Sequence, residues 1–187
     1  MPNLLKQIPE TMRKQGIPDE TIAKFSFSES GGAEEVMALI GQMDRLLTKE
    51  QCLSVMQEQG CCKTGMGPKA HSAFGQENRD KTLEEKICLL NLAQMPHKAP
   101  CRLNGDGTIS IYWGANDLKK KSCPCGFINK LPEPFEVPKT FCGCCGGHIR
   151  SNYQKSLGVK LRLKEIVSSS SSSGGKKRCE FLYEIEA

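Results

Sequence analysis

The sequence predicts an α+β fold, with a helical N-terminal half packed on a small antiparallel sheet and one C-terminal helix. Three observations carry this. Apolar residues recur at helical spacing as far as Pro96, the period drops to two after Pro100, and a last helical stretch precedes two alternating strands. At 187 residues the chain can bury about 70% of its unfolded surface without help from disulfides or metal. It reads as a single domain over 1–187, with a helical portion 1–97 and a sheet-plus-helix portion 98–187 carrying the cysteines.

Residues 1–30 are weakly patterned, with short helical turns broken by Pro9, Gly16 and Pro18, and FSFSESGG (25–32) reads as a turn or linker. Val36, Leu39, Ile40, Met43, Leu46 and Leu47 then form one apolar stripe of a helix. Thr48 with Gln51 fits a capping box, so a second helix starts there and carries Cys52, Val55 and Met56 to Gly60. The segment 63–78 has little periodicity and reads as a loop. Thr82 with Glu85 opens another helix, with Leu83, Ile87 and Leu90 inward, Cys88 as a small buried hydrophobe, and Pro96 as its stop.

After Pro100, TISIYW places Ile109, Ile111 and Trp113 on one face of a strand behind an Asn-Gly-Asp-Gly turn. Residues 146–157 return to helix through Ile149, Tyr153 and Leu157, with Gly158 at the C-cap. VKLRLKEIV and CEFLYEIE read as the last two strands. The six serines of Ser168–Ser173, followed by two glycines and two lysines, read as a flexible hairpin loop between them.

Composition narrows the function. The net charge of +5 is diffuse, and the runs Lys119–Lys121 and Lys176–Arg178 are not interleaved with aromatics, so no nucleic-acid partner is predicted. No apolar run approaches the roughly 18 residues of a membrane span, and no membrane partner is expected. The opening MPNLLKQIPETMRK lacks a basic segment followed by an apolar signal core, so a cytoplasmic location is predicted. In a reducing compartment, eleven cysteines point to metal or reactive thiols ahead of disulfides. Two motifs fail on inspection. The Asn-Gly-Asp-Gly turn would put Arg102 and Trp113 where a calcium loop needs carboxylates, and GCCKTG puts Cys62 where a phosphate loop needs its second glycine.

What remains is Cys123-Pro-Cys125, a gap of sixteen residues, then Cys142-Gly-Cys144-Cys145 and His148. Zinc wants four soft or borderline ligands brought together by tight turns, and Cys123, Cys125, Cys142 and Cys144 are the candidate set. Alternatively, Cys144 or Cys145 is a nucleophile at a helix N-terminus with His148 as its base, if Gly146 and Gly147 open the helix. The two glycines would then let a small-molecule ligand approach the backbone, with Cys61 and Cys62 joining the ligand site and His71 as a further candidate. A third reading is a reversible disulfide between Cys123 or Cys125 and one of Cys142, Cys144 or Cys145; adjacent Cys144 and Cys145 would pair only with backbone distortion.

The order C-x-C, F-C-x-C-C-G-G, a helix ending in Leu-Gly, a V-x-L-x-L strand and a final C-x-F strand resembles a group of prokaryotic proteins. They are related to the 4-vinyl reductase-like small-molecule-binding domains and to the 2-aminothiazoline-4-carboxylate hydrolases. The resemblance covers roughly Cys123 to Ile185, about a third of the chain. Cys142, Cys144 and Gly146 match the C-x-C and glycine before the helix, and Cys179-Glu-Phe181 matches the terminal strand. The resemblance implies a ligand pocket between helices and sheet, and for the hydrolase relation a cysteine-dependent opening of a small sulfur or nitrogen heterocycle. The serine run stands where those families often have a Cys- or Gly-containing turn.

Overall fold

The computed structural model describes residues 4–28, 30–59, 66–96, 99–114, 123, 125, 127–128, 131 and 137–186. Among these, seven α-helices and a four-stranded antiparallel sheet make an α+β fold, as predicted. The helices are α1 (Leu4–Lys14), α2 (Asp19–Ile22), α3 (Ala33–Leu46), α4 (Lys49–Glu58), α5 (Met66–Glu77), α6 (Leu83–Leu92) and α7 (Gly143–Leu157). The strands are β1 (Cys101–Leu103), β2 (Ile109–Trp113), β3 (Lys160–Ser168) and β4 (Cys179–Glu186), in the order β1-β2-β4-β3.

Both capping boxes form. Thr48 Oγ1 accepts from the Gln51 N–H at 3.2 Å while Gln51 Oε1 accepts from the Thr48 N–H at 2.9 Å, and Thr82 with Glu85 repeats the exchange at 3.3 and 2.8 Å. Each satisfies two N–H groups that a helix start otherwise leaves without acceptors. The α3 stripe is buried through Val36, Leu39, Ile40 and Met43. Ile149, Tyr153 and Leu157 are each 1% exposed on α7, which ends where Gly158 adopts φ 71°.

Several expectations require correction. Residues 4–14 form one helix through Pro9, because Leu4, Leu5, Ile8 and Met12 make a buried stripe that outweighs one missing backbone bond. The predicted loop at 63–78 is helical over Met66–Glu77. Its intrinsic propensity is poor, and packing decides: a Cβ on Gly75 would stand 2.0 Å from the Lys155 carbonyl, so α5 lies directly on α7. Cys88 is exposed, not buried, since it sits about 100° around α6 from Ile87. Helix α7 starts at Gly143 rather than Gly146, because a 3₁₀ turn over Lys139–Cys142 feeds straight into it.

The serine run is also more than a loop. β3 continues to Ser168, and register irregularities between Leu163 and Glu165 and between Ile166 and Ser168 shift which residues face inward. Leu161, Leu163, Ile166, Ser169 and Ser170 are all buried as a result, and a 3₁₀ turn over Ser171–Ser173 closes the hairpin.

Two apolar clusters share α4 and α7. One joins α1, α3 and the Cys52, Val55 and Met56 face of α4 to Phe141 and Cys144; the other joins Leu53, α6 and most of α7 to the sheet. The α7 glycines make this possible. A Cβ on Gly147 would be 1.8 Å from the Gln57 carbonyl oxygen, and one on Gly146 would be 2.8 Å from Leu163 Cδ2. Helix α7 is thus held between α4 and the sheet at close approach, and Tyr183 Oη donates to the Gly146 carbonyl at 2.8 Å.

Candidate functional site: a cysteine cluster under the serine turn

The start of α7 brings the C-terminal cysteines into one neighbourhood. Cys142 is the N-cap residue, with Cys144 and Cys145 in the first turn. Successive helix residues point about 100° apart, and the three thiols separate accordingly. Cys144 is buried with the N-terminal helices, whereas Cys142 and the half-buried Cys145 pack with the sheet cluster.

Cys125 is half-buried against the helical cluster, and the Cys145 thiol and the backbone N–H groups of Phe127 and Ile128 favour its ionised form. The Cys145 hydrogen bond is the largest influence, and together these groups lower the Cys125 pKa to about 6 against the opposing effect of burial. Cys145, as the donor, is raised well above the ordinary thiol range, first by the same hydrogen bond and then by burial. The negative charge therefore settles on Cys125 and the proton on Cys145, the two titrating as a pair.

The serine turn covers the adjoining thiols. Cys142 Sγ lies 2.9 Å from Ser169 Oγ and 3.3 Å from Ser171 Oγ, and the two hydroxyls are 3.0 Å apart. The Ser172 N–H donates to Ser169 Oγ at 3.2 Å, and the Ser170 N–H donates to Cys179 Sγ at 3.3 Å. The Cys125 backbone N–H and the Ser171 hydroxyl act to lower the Cys123 pKa, against a larger effect of burial. Burial is the main cause that pushes Cys123 up to about 11 and Cys179 up to about 12, and it raises Cys142 as well.

The participation of Ser169, Ser170, Ser171 and Cys179 was not foreseen. The alternation of CEFLYEIE put Cys179 inward with Phe181, but the irregular register that turns the serines inward has no signature in a run of identical residues.

The remaining predicted site residues fall as follows. Cys61 and Cys62 lie outside the described residues, as does the lysine run 119–121. His148 is buried in α7, with Nε2 3.4 Å from Asn152 Nδ2 and its ring edge-on to Trp113 at 6.1 Å between centroids. The space beside Gly146 and Gly147 that a ligand would need is filled by Leu163, Phe181 and the Gln57 backbone. His71 is fully buried near the other end of α7, where Nδ1 lies 2.7 Å from Ser156 Oγ. Ser156 is eleven residues beyond Cys145, roughly 16 Å along the helix, so His71 does not join the cysteines.

Among the described residues no group of three or more His, Cys, Asp or Glu side chains is arranged to hold a metal ion. Nor is any described helix long and apolar enough to cross a membrane. A surface groove of about 720 Å³ runs along α3 between Lys24, Met37, Gln42 and Arg45, and no cysteine lines it.

The fold and site define an α+β protein with a buried cluster of thiols and hydroxyls at a helix start. The chain matches no protein-family profile and no curated protein. Among solved structures it is similar to an H-NOX protein from S. oneidensis in the Fe(II)NO ligation state, with 11% identity over 100% of both chains. The TM-score is 0.32, too slight a likeness to carry an argument about fold or function.

Proposed function

We propose that the chain is a thiol-dependent redox module, with Cys125 as the reactive thiolate and Cys145 as the thiol that resolves it. One observation supports this above the others: the Cys145 thiol, with the backbone N–H groups of Phe127 and Ile128, holds the Cys125 pKa down at about 6 against burial. A thiolate held by backbone N–H groups stays ionised near neutral pH and is the nucleophilic form. The side chain with the largest effect on it is the Cys145 thiol, which makes Cys145 the partner for a disulfide.

The chemistry balances with a peroxide as oxidant. The Cys125 thiolate attacks the outer peroxide oxygen, the O–O bond breaks, and the alcohol or water leaves after taking up a proton. Cys125 is then a sulfenic acid. The Cys145 sulfur attacks it, the S–S bond forms, and water departs with the Cys145 proton. Two thiols are oxidised by two electrons and the peroxide is reduced by two. A thiol reductant returns the pair to its starting state.

The test is titration with one equivalent of hydrogen peroxide, followed by non-reducing peptide mapping and a free-thiol count. A Cys125–Cys145 linkage with loss of two thiols, reversed by dithiothreitol, is the expected result. An unchanged thiol count sinks the proposal. The same protein, prepared without chelator or affinity-tag metal, is assayed for zinc and iron. Stoichiometric metal, lost in Cys125→Ser, would instead support the metal site expected at Cys123, Cys125, Cys142 and Cys144.

A further inference from the structure

Cys142 is left out of that pair, yet among the described residues it has the most elaborate hydrogen-bonded surroundings of any thiol. Cys142 is buried, 5% exposed, and its sulfur forms a closed triangle with two serine hydroxyls at 2.9, 3.3 and 3.0 Å. The triangle is oriented from outside, because the Ser172 N–H fixes Ser169 Oγ and Ser169 is itself 1% exposed. A cysteine that served only to fill space would pack against apolar groups, as Cys144 does. Cys142 also stands three residues before Cys145, so the two share one edge of the first turn of α7 in a Cys-x-x-Cys arrangement.

We propose that Cys142 is a third thiol of the site, which takes over the disulfide from Cys125 under the positioning hydroxyls of Ser169 and Ser171. This rests on the redox reading above. The Cys142 sulfur attacks the Cys145 sulfur of the Cys125–Cys145 disulfide. The Cys142–Cys145 bond forms, the Cys125–Cys145 bond breaks, and Cys125 departs as a thiolate. The Cys142 proton leaves through the hydroxyl pair to Ser171, which is half-exposed to water. No net oxidation occurs in this step. Cys125 is freed for a second encounter with oxidant while the oxidised pair is stored beneath the serine turn.

Ser169 and Ser171 act through Cys142, so the test needs a readout that a purely structural role would not move. Wild type and Ser169→Ala/Ser171→Ala are oxidised with one equivalent of hydrogen peroxide, quenched at intervals and mapped without reduction. In wild type the Cys125–Cys145 linkage rises first and Cys142–Cys145 replaces it. In the double variant the first linkage forms at the same rate, while the second slows by at least about tenfold, the effect of losing even one of the two hydrogen bonds to a charged group. Ser171→Thr, which keeps the hydroxyl, restores the exchange. A second arm uses Cys125→Ser with a diazene oxidant, which joins Cys142 to Cys145 directly; the serine substitutions slow that step too. Failure of Cys125–Cys145 to form refutes the redox pair, while the Cys125→Ser arm still decides the role of Cys142. Cys142 absent from every disulfide, or an exchange rate indifferent to both hydroxyls, overturns the inference.

Discussion

Gly147 lies where α7 crosses α4, and Gly147→Ala tests the packing that places the cysteines. An ideal Cβ there would stand 1.8 Å from the Gln57 carbonyl oxygen, 2.5 Å from its carbon and 2.8 Å from its Cα. These are backbone atoms of α4, so no side-chain rotation relieves the overlap. Restoring ordinary contact at 3.4 Å requires the helices to part by about 1.6 Å. Gln57 also ties α4 to the sheet, since its Oε1 accepts from the Leu163 N–H at 3.1 Å, and separation would stretch that bond. Overpacking costs about 1–3 kcal/mol and more against rigid backbone. The helix-propensity gain from glycine to alanine returns only about 1 kcal/mol.

A net loss of about 1–2 kcal/mol is therefore expected, lowering Tm by about 2–8 °C for a chain of this size. Gly41→Ala is the matched control. Its Cβ would meet nothing closer than Arg45 Nη1 at 3.7 Å, the far end of a flexible side chain. That substitution should stabilise by about 0.5–1 kcal/mol. Urea unfolding followed by circular dichroism reads both as midpoint shifts at constant slope. A Gly147→Ala midpoint at or above wild type would refute the reasoning.

Two other measurements bear on the same region. Alkylation of Cys125 by iodoacetamide should be near its plateau at pH 7 and fall about tenfold per pH unit below about 6, because the thiolate is lost as pH drops through the lowered pKa; a rate that keeps climbing to pH 9 would contradict the hydrogen-bonded thiolate. Tyr183→Phe removes a fully buried hydroxyl that donates to the Gly146 carbonyl, and should cost about 1 kcal/mol or about 2–4 °C in Tm; an unchanged Tm would mean that bond contributes nothing net.

Legibility in the sequence followed the range of the interactions involved. The capping boxes at Thr48 and Thr82 and the left-handed cap at Gly158 depend on residues within about four positions, and each was readable. So was the inward face of β4, where Cys179, Phe181 and Tyr183 alternate with half-buried residues; on β2 Ile109 and Ile111 are buried as expected, but so is Ser110 between them. Helix α5 was not readable, because nothing within it favours a helix over a loop; α7 lying 2.0 Å from a Gly75 Cβ supplies the reason. Cys144 and Cys145 looked equivalent in the sequence. The rotation of about 100° per residue sends one into the helical core and leaves the other beside Cys125.

By itself the sequence determined the fold class, the helix starts at Thr48 and Thr82, and the gathering of thiols around the beginning of the last helix. Apolar periodicity and capping chemistry are local, and five of the cysteines fall within 23 residues, 123–145. The tertiary structure decided which thiols meet. Hydrogen bonds from Cys145, Phe127 and Ile128 put the charge on Cys125, and an irregular strand register turned Ser169 and Ser171 onto Cys142. A thiol's reactivity depends on donors within a few ångströms, and those donors come from chain segments whose approach only the packed helices and sheet determine.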